Sequence, residues 1–453
     1  MTGSAVPLPA GPVSRDRWLK LLVPFVVAIA VLAYQSSRAS WKVREALLDD
    51  LRIAHHTIAL GTLADAAKGE RPRPTRALPP GHPYLIAAFA RLDPSLARSL
   101  ECFASEQRAC ERNHAVSVLL APQALATVLC LALICLIGFE LSGSKDVATL
   151  TMLLALLLGH FGEFVRYVGP DSYINAALFG SLYALLRAQR SGSIWVFALA
   201  GAMLGIGALF RPHFICLGLL AAPVIFWALR RAQVPAGRSI AAAAAYALAC
   251  LLVTAPWMLR NLARFGDAAL VDQDMAMLLA RRLAYNSMTF GEWWLSLVYW
   301  MPGIGVGSFD KLYPLELAHK LGGAHTGATP QPAALALYDA TLKAAGTSAA
   351  HVGHLLRAHL AADLWQHLVT TVPVLNKGMW GSTLLLVAVA MLYLPRLVRT
   401  LRATGRLDAF ALLAGVSVAL LVLQALLTHN GYWINLQMVL LYSFALAHAA
   451  GGL

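Results

Sequence analysis

The chain has 453 residues, a net charge of +13 and a mean hydropathy of +0.63. Apolar residues make up 58% of it and charged residues 13%, about half the charged share of a typical soluble domain. This composition excludes a soluble globular fold, and we attribute the excess of positive charge to membrane topology rather than to nucleic-acid binding.

The apolar residues cluster in runs that approach the roughly 20 residues needed for a helix to cross a hydrocarbon core. The ten runs are 19–34, 116–139, 147–161, 173–186, 194–210, 215–229, 240–258, 381–394, 410–427 and 434–449. Within lipid only a helix satisfies its own backbone on such a run, and the alternation typical of a barrel is absent from the sequence. We therefore predict an all-α polytopic membrane protein, with residues 1–453 forming a single integral membrane domain of about ten transmembrane helices.

Arginines in the short loops predict the orientation. With ten spans, the basic clusters around Arg17, Arg190, Arg231 and Arg402 all fall on one side, which we expect to be the cytoplasm. The first run is interpreted as an uncleaved anchor, because no small-residue cleavage site follows it. The expected location is the inner membrane of a bacterium, with the outer side facing the periplasm.

The first long outer loop is residues 35–115. Leu47, Leu51, Ala54 and Ile58 recur at helical spacing and predict an amphipathic helix on the membrane surface. Further along the loop, Cys102 and Cys110 are eight residues apart in an oxidising compartment, so they form either a disulfide or two unrelated thiols.

Two adjacent carboxylates, Asp49 and Asp50, lie near the start of this helix. Such a pair suits a general base, because burial or a like-charged neighbour raises the pKa of one member. Consecutive helical residues point about 100° apart, so only one of the two can face a substrate. The alternative is a solvated helix start with its favoured acidic residues.

The second long outer loop is residues 260–380. The aromatic-rich stretch 290–307 is interpreted as an interfacial or re-entrant segment, because an additional span would invert every later loop. Residues 351–372 again predict a surface helix. Histidines occur in both outer loops, but a complete metal-ligand set is not evident in the sequence. We therefore predict no metal cofactor, with a divalent cation as the alternative.

Three further segments, together with the acidic first loop, carry a family resemblance. They are residues 76–85 (RALPPGHPYL), 201–212 (GAMLGIGALFRP) and 255–266 (APWMLRNLARFG). In this order they resemble the polytopic lipid-phosphosugar-dependent glycosyltransferases with the C-type fold, which include protein O-mannosyltransferases and aminoarabinose transferases. The chain departs from that pattern at Ala54, where the family has an aromatic residue, at His82, where it has tyrosine, and at His429–Tyr432, where it often has Arg-Tyr.

The resemblance implies an inverting enzyme that moves a sugar from a polyprenyl-phosphate donor to a lipid, glycan or protein acceptor at the outer face. It implies Asp50 as the catalytic base, with Asp49 as second choice. Cations at the outer ends of spans are then candidates for binding the donor phosphate, although a single such cation is more often a membrane anchor. These cations are Arg211, Arg260, Arg166 and Lys377, and the expected donor or acceptor pocket contains His82, Tyr84, His429 and Tyr432.

Two other classes of protein stay open at this point. A transporter or lipid flippase is the second hypothesis, although the predicted spans have almost no ionisable residues near their middle. An O-antigen polymerase or ligase, which also acts on sugars at the outer face, is the third.

Overall fold

The computed structural model describes residues 25–34, 37, 45–66, 70–105, 118–159, 161–271, 273–301, 332–345, 348–379, 384–428 and 435–451. These residues are mostly helical, so the predicted all-α class is confirmed. One short hairpin is added, in which β1 (Ala64–Asp65) pairs antiparallel with β2 (Arg73–Pro74) and Ala64 lies opposite Pro74.

The described helices follow one another closely along the chain. The first ten are α1 (Phe25–Tyr34), α2 (Glu45–Leu60), α3 (Gly81–Leu92), α4 (Pro94–Ser105), α5 (Leu120–Ser142), α6 (Lys145–Leu158), α7 (Phe161–Phe164), α8 (Asp171–Ser191), α9 (Ile194–Phe210) and α10 (His213–Arg231). The others are α11 (Ala236–Phe265), α12 (Gln273–Ala284), α13 (Phe290–Tyr299), α14 (Pro332–Ala345), α15 (Ser348–Leu355), α16 (Leu364–Met379), α17 (Leu384–Ala403), α18 (Leu407–Leu427) and α19 (Leu436–Gly451). A 3-10 turn (Tyr285–Ser287) follows α12, and a π-helical segment (Leu356–Ala361) follows α15.

The described part of each of the ten apolar runs predicted from the sequence lies largely on one of these helices. Among the described residues, α5, α10, α11 and α18 are long and apolar enough to cross a membrane, and α1, α9 and α19 are shorter apolar helices. A multi-pass membrane protein is therefore confirmed, while the number of ten spans stays a prediction.

Close helix packing defines the centre of the bundle, where α9 lies between α8 and α11. A Cβ added at Gly205 of α9 would lie 2.7 Å from the carbonyl oxygen of Cys250 on α11. Small residues allow such an approach where lipid provides no hydrophobic drive for helices to associate. The glycines of segment 201–212 thus hold the end of α9 at a fixed position beside α11.

The first outer loop forms a helical layer of its own. Leu51 and Ala54 on α2 are fully buried, and they pack with Ile86 of α3 and with Leu100 and Phe103 of α4. We expected this apolar face of α2 to lie on the membrane, but α3 and α4 cover it. An amphipathic pattern shows that one face of a helix is apolar, but it does not show whether lipid or protein covers that face.

The second outer loop begins later than predicted, because α11 continues through Arg260 to Phe265. The described part of stretch 290–307 contains α13, whose ten residues are too few to cross a membrane alone. In place of one surface helix over 351–372, the chain forms α15, the π-helical segment and α16.

A buried arginine attaches this loop to the bundle. Arg282 of α12 is completely buried, and its Nε donates to the carbonyl oxygen of Ala425 on α18 at 2.6 Å. Its Nη2 donates to the carbonyl oxygen of His367 at 2.8 Å and to the hydroxyl of Thr371 at 2.7 Å, both on α16. One side chain therefore joins α12, α16 and α18.

Candidate active site

The Asp50–His82 pair lies where α2 meets the start of α3. Asp50 Oδ2 is 3.3 Å from His82 Nδ1, and the side chains are 13% and 6% exposed. A Cβ added at Gly81 would lie 2.8 Å from the Phe210 ring, so the start of α3 abuts the end of α9. The structure thus places a half-buried carboxylate beside a buried imidazole.

Both members of this pair keep unused hydrogen-bonding capacity within the described part of the chain. His82 Nδ1 is buried and has no hydrogen-bond partner there. The carboxylate of Asp50 likewise accepts no hydrogen bond from those residues, which leaves its lone pairs available to a proton donor. A carboxylate with free lone pairs can act as a general base.

Asp49 lies in a different environment. Its Oδ1 is 2.9 Å from Arg52 Nη1, and its side chain is 54% exposed. Arg52 also donates from Nε and Nη2 to the two carboxylate oxygens of Asp65, at 2.8 and 3.0 Å. The hydrogen bond to Asp65 is the main reason that the pKa of Arg52 is raised. Asp49 is therefore a surface ion-pair partner, and the geometry favours Asp50 of the two predicted carboxylates.

One arginine and one carboxylate meet at the start of α8. Arg211 follows the last residue of α9, and its Nη2 contacts the carboxylate of Asp171 in the first turn of α8. The other two nitrogens of Arg211 have no hydrogen-bond partner among the described residues. The guanidinium is therefore partly neutralised and still able to bind an anion.

A buried glutamine shapes the turn that leads into α8. Gln123 of α5 is 2% exposed, and its Oε1 accepts from the backbone nitrogen of Gly169 at 2.9 Å. Its Nε2 donates to the carbonyl oxygen of Tyr167 at 2.6 Å. Arg166 lies in this turn, half-buried, with a buried Nε and without an ion-pair partner in the described ranges. Arg166 and Arg211 thus remain candidates for the predicted phosphate site.

The contacts of Arg260 differ from those expected of a phosphate ligand. Its Nη1 donates to the carbonyl oxygen of Thr75 at 2.9 Å and to Asn261 Oδ1 at 2.8 Å. Its Nη2 donates to the carbonyl oxygen of Leu63 at 3.0 Å, and the guanidinium lies 4.4 Å from the centre of the Trp257 ring. These contacts occupy its terminal nitrogens and hold the β1–β2 hairpin against α11, so we assign Arg260 a structural role.

A second contact supports the same hairpin region. Arg76 Nη1 contacts the carboxylate of Asp267, just beyond the end of α11, and its guanidinium lies 4.9 Å from the centre of the Phe265 ring. The hydrogen bond from Arg76 holds the pKa of Asp267 below its ordinary value. The arginine of segment 76–85 therefore fastens the first outer loop to the bundle.

Lys377 lies in a separate aromatic cluster. It is 8% exposed, and its Nζ donates to the Tyr285 hydroxyl at 3.2 Å and lies 4.9 Å from the centre of the Trp300 ring. Cation–π contacts of this kind stabilise a desolvated ammonium group. The four cations predicted to bind phosphate are therefore divided among the start of α8, the hairpin and this cluster.

The remaining predicted site residues have different outcomes. Tyr84 accepts a hydrogen bond from the backbone nitrogen of Leu63 at 3.2 Å and packs edge-on against Trp257. It therefore contacts the hairpin region and α11, whereas His82 contacts Asp50. His429 and Tyr432 lie outside the described residues. Cys102 is disulfide-bonded, but Cys110 also lies outside them, so the pairing of these two cysteines stays a prediction.

The absence of a metal cofactor stays a prediction. In the described ranges there is no group of three or more His, Cys, Asp or Glu side chains that could hold a metal ion. Sequence reasoning also missed Asp171, which stands directly before a predicted span and close to Arg166 in sequence. An acidic residue at the boundary of an otherwise apolar run was the available signal.

The fold resembles that of the polytopic glycosyltransferases with the C-type fold. The family model described as dolichyl-phosphate-mannose-protein mannosyltransferase matches residues 112–259. That range includes Gln123, Asp171 and Arg211, but it does not reach Asp50 or His82. No curated protein sequence gives a significant match.

Solved structures agree with the fold. Archaeal oligosaccharyltransferase AglB from Archaeoglobus fulgidus, in complex with an inhibitory peptide and a dolichol-phosphate, matches with a TM-score of 0.54 and 14% identity over 97% of this chain and 51% of that one. The same organism's enzyme tethered to an acceptor peptide gives a TM-score of 0.50 and 14% identity, over 96% and 50%. ArnT from Cupriavidus metallidurans, bound to undecaprenyl phosphate, gives 0.43 and 17%, over 97% and 79%.

The chain thus spans about half the length of the archaeal enzyme it matches. At these identities the two archaeal matches show the fold alone, and they confirm the C-type fold expected from the resemblance.

Proposed function

We propose that the chain is an inverting membrane glycosyltransferase that uses a polyprenyl-phosphate sugar and acts at the outer face of the membrane. The observation that carries the proposal is the half-buried Asp50 beside His82, which accepts no hydrogen bond from the described residues and lies in a C-type fold. The sugar is a hexose or a pentose, and the acceptor is a lipid, a glycan or a protein.

In the proposed reaction, Asp50 removes the proton from an acceptor hydroxyl group. The hydroxyl oxygen forms a bond to the anomeric carbon as the bond from that carbon to the phosphate oxygen breaks. The electron pair of the broken bond leaves with the polyprenyl phosphate, and the proton stays on Asp50. The acceptor displaces the phosphate in a single step, without a covalent enzyme intermediate. The configuration at the anomeric carbon is therefore inverted.

Arg211 and Arg166 are the cations proposed to bind the donor phosphate. They lie at the boundary of the predicted spans, where a polyprenyl tail stays in lipid and its phosphate reaches water. A guanidinium can donate two parallel hydrogen bonds to phosphate oxygens, and such bonds strengthen as charge develops on the leaving group. Asp171 orients Arg211 from one side and leaves its other nitrogens for the ligand.

A donor assay on the purified full-length chain tests the proposal. Undecaprenyl-phosphate monosaccharides should be consumed with release of undecaprenyl phosphate, whereas an O-antigen polymerase or ligase would use undecaprenyl-diphosphate oligosaccharides. Arg211→Ala should raise the apparent donor KM about tenfold or more, because a charged hydrogen bond is lost, and Arg211→Lys should recover only part of it. Arg264→Ala removes an exposed arginine at the same end of the bundle and should leave KM unchanged.

The assay also separates the proposal from its alternatives. Turnover of the diphosphate donor alone would favour the polymerase or ligase. Movement of intact donor across a vesicle membrane without sugar transfer would favour the flippase. An equal rise of KM in the Arg211 and Arg264 variants would remove Arg211 from the phosphate site.

Topology is a separate prediction, because the orientation of the bundle rests on the distribution of basic residues. Reporter fusions after Gly69 and after Gly323 should give a periplasmic signal. A fusion after Gly405, in the turn between α17 and α18, should give a cytoplasmic one. A cytoplasmic signal from either of the first two would overturn the site assignment, because the proposed site needs both long loops on the outer side.

A further inference from the structure

A cluster of arginines lies at the opposite end of the bundle from the Asp50–His82 pair. Helix α8 connects the two ends, with Asp171 in its first turn and Arg187 and Arg190 close to its last residue. The 19 residues from Asp171 to Arg190 correspond to a rise of about 28 Å, close to the thickness of a hydrocarbon core. The cluster therefore lies at the other boundary between lipid and water.

One carboxylate stands at the centre of the cluster. The side chain of Glu140 on α5 is 7% exposed, and its Oε1 is 3.1 Å from Arg187 Nη1. Arg190 contacts the other carboxylate oxygen through Nη1 and the backbone carbonyl oxygen of Glu140 through Nη2. Glu140 contacts two arginines but carries only one negative charge, so one positive charge is left without a counterion from Glu140.

A third guanidinium, that of Arg406, packs against the end of α5. It lies over Gly143, which has a φ of +70°, and a Cβ at that glycine would overlap the guanidinium. Arg406 Nη1 is buried and has no hydrogen-bond partner among the described residues. Burial, and then the charge of Arg190, lower the pKa of Arg406. The cluster therefore carries an excess of positive charge and an unused buried donor.

A bound anion would neutralise the excess positive charge and accept a hydrogen bond from the unused donor. Like charges gathered around one carboxylate repel one another, and a guanidinium fork matches the oxygens of a phosphate group. At a membrane boundary the abundant phosphate groups belong to phospholipids, and basic pockets between transmembrane helices suit anionic head groups. We propose that Arg187, Arg190 and Arg406 form a binding site for the phosphate group of an anionic phospholipid. This site is independent of the proposed function.

Lipid binding to the purified full-length chain tests this site. The protein is placed in nanodiscs of phosphatidylcholine with or without phosphatidylglycerol, and the thermal midpoint and the number of bound phosphatidylglycerol molecules are measured. Phosphatidylglycerol should raise the midpoint of the wild-type chain. Arg406→Gln and Arg187→Gln should each weaken its binding about fivefold, the value expected for one cation at an anionic surface. Arg187 is 55% exposed, so its variant tests the site even if the Arg406 variant folds poorly.

Arg402→Gln is the matched control, since it removes an exposed arginine from the last turn of α17 at the same end. Retained binding in this variant, with loss in the other two, supports the site. Equal loss in all three would indicate diffuse surface attraction and overturn it. A wild-type chain that does not respond to phosphatidylglycerol would overturn it as well. Inorganic phosphate that stabilises the protein as strongly as phosphatidylglycerol would replace the lipid site with a simple anion site.

Discussion

Asp50→Asn is expected to lower turnover by roughly 10²–10⁴-fold, the usual contribution of a general base, while the apparent donor KM stays close to that of the wild type. Asparagine keeps the size of the side chain and its place beside His82, but it cannot accept the acceptor's proton. Single-turnover rates with a saturating polyprenyl-phosphate sugar would measure the chemical step separately from donor binding.

Asp49→Asn is the matched control, because it alters the neighbouring carboxylate on the same helix. Asp49 is 54% exposed and paired with Arg52, so its loss should change turnover little. A reversed result would assign the base to Asp49. Normal turnover in both variants would contradict the assignment of the base to this carboxylate pair.

Arg282→Met should lower the stability of the protein by several kcal/mol without removing any group from the candidate site. Methionine fills part of the same volume but removes the hydrogen bonds that Arg282 donates to the carbonyl oxygens of Ala425 and His367 and to the hydroxyl of Thr371. A hydrogen bond from a charged donor contributes about 1.5–3 kcal/mol. Part of this cost is offset, because burial disfavours the charge on Arg282 and lowers its pKa to about 10.

Unfolding of the detergent-solubilised variant by heat or denaturant measures this effect. Arg357→Met is the control, since Arg357 is an exposed arginine in the same outer loop whose Nε donates to the carbonyl oxygen of Gly353. Equal midpoints for the two variants would show that the contacts of Arg282 with α16 and α18 contribute nothing to stability.

The helices were predictable because lipid restricts the backbone to few solutions. Each long apolar run in this chain could satisfy its backbone polar groups only as a helix, and the described part of every run indeed lies largely on one. The same logic fails for α2, because an apolar face looks identical in sequence whether lipid or protein covers it. Leu51 and Ala54 illustrate this, since α3 and α4 bury them both.

The candidate site was predictable only in part. The sequence identified the Asp49–Asp50 pair and the unusual His82, but the contact between Asp50 and His82 depends on how α2 packs against α3. Arg260 shows where the sequence was misleading. An arginine at the end of a span looks the same in sequence whether it binds a phosphate or holds a hairpin. Only its hydrogen bonds to Thr75 and Leu63 distinguish the two roles.

The contact between Gly81 and Phe210 has a mechanical consequence. Because the start of α3 rests on the end of α9, His82, which lies beside the proposed base, and Arg211, the proposed phosphate ligand, lie on the two sides of one helix contact. A tilt of the outer layer would carry His82 towards or away from Arg211, and the tight glycine contact resists such a tilt. Reactive groups held at a fixed separation need little reorganisation when the substrate binds. In this chain a glycine without any chemistry of its own would set that separation.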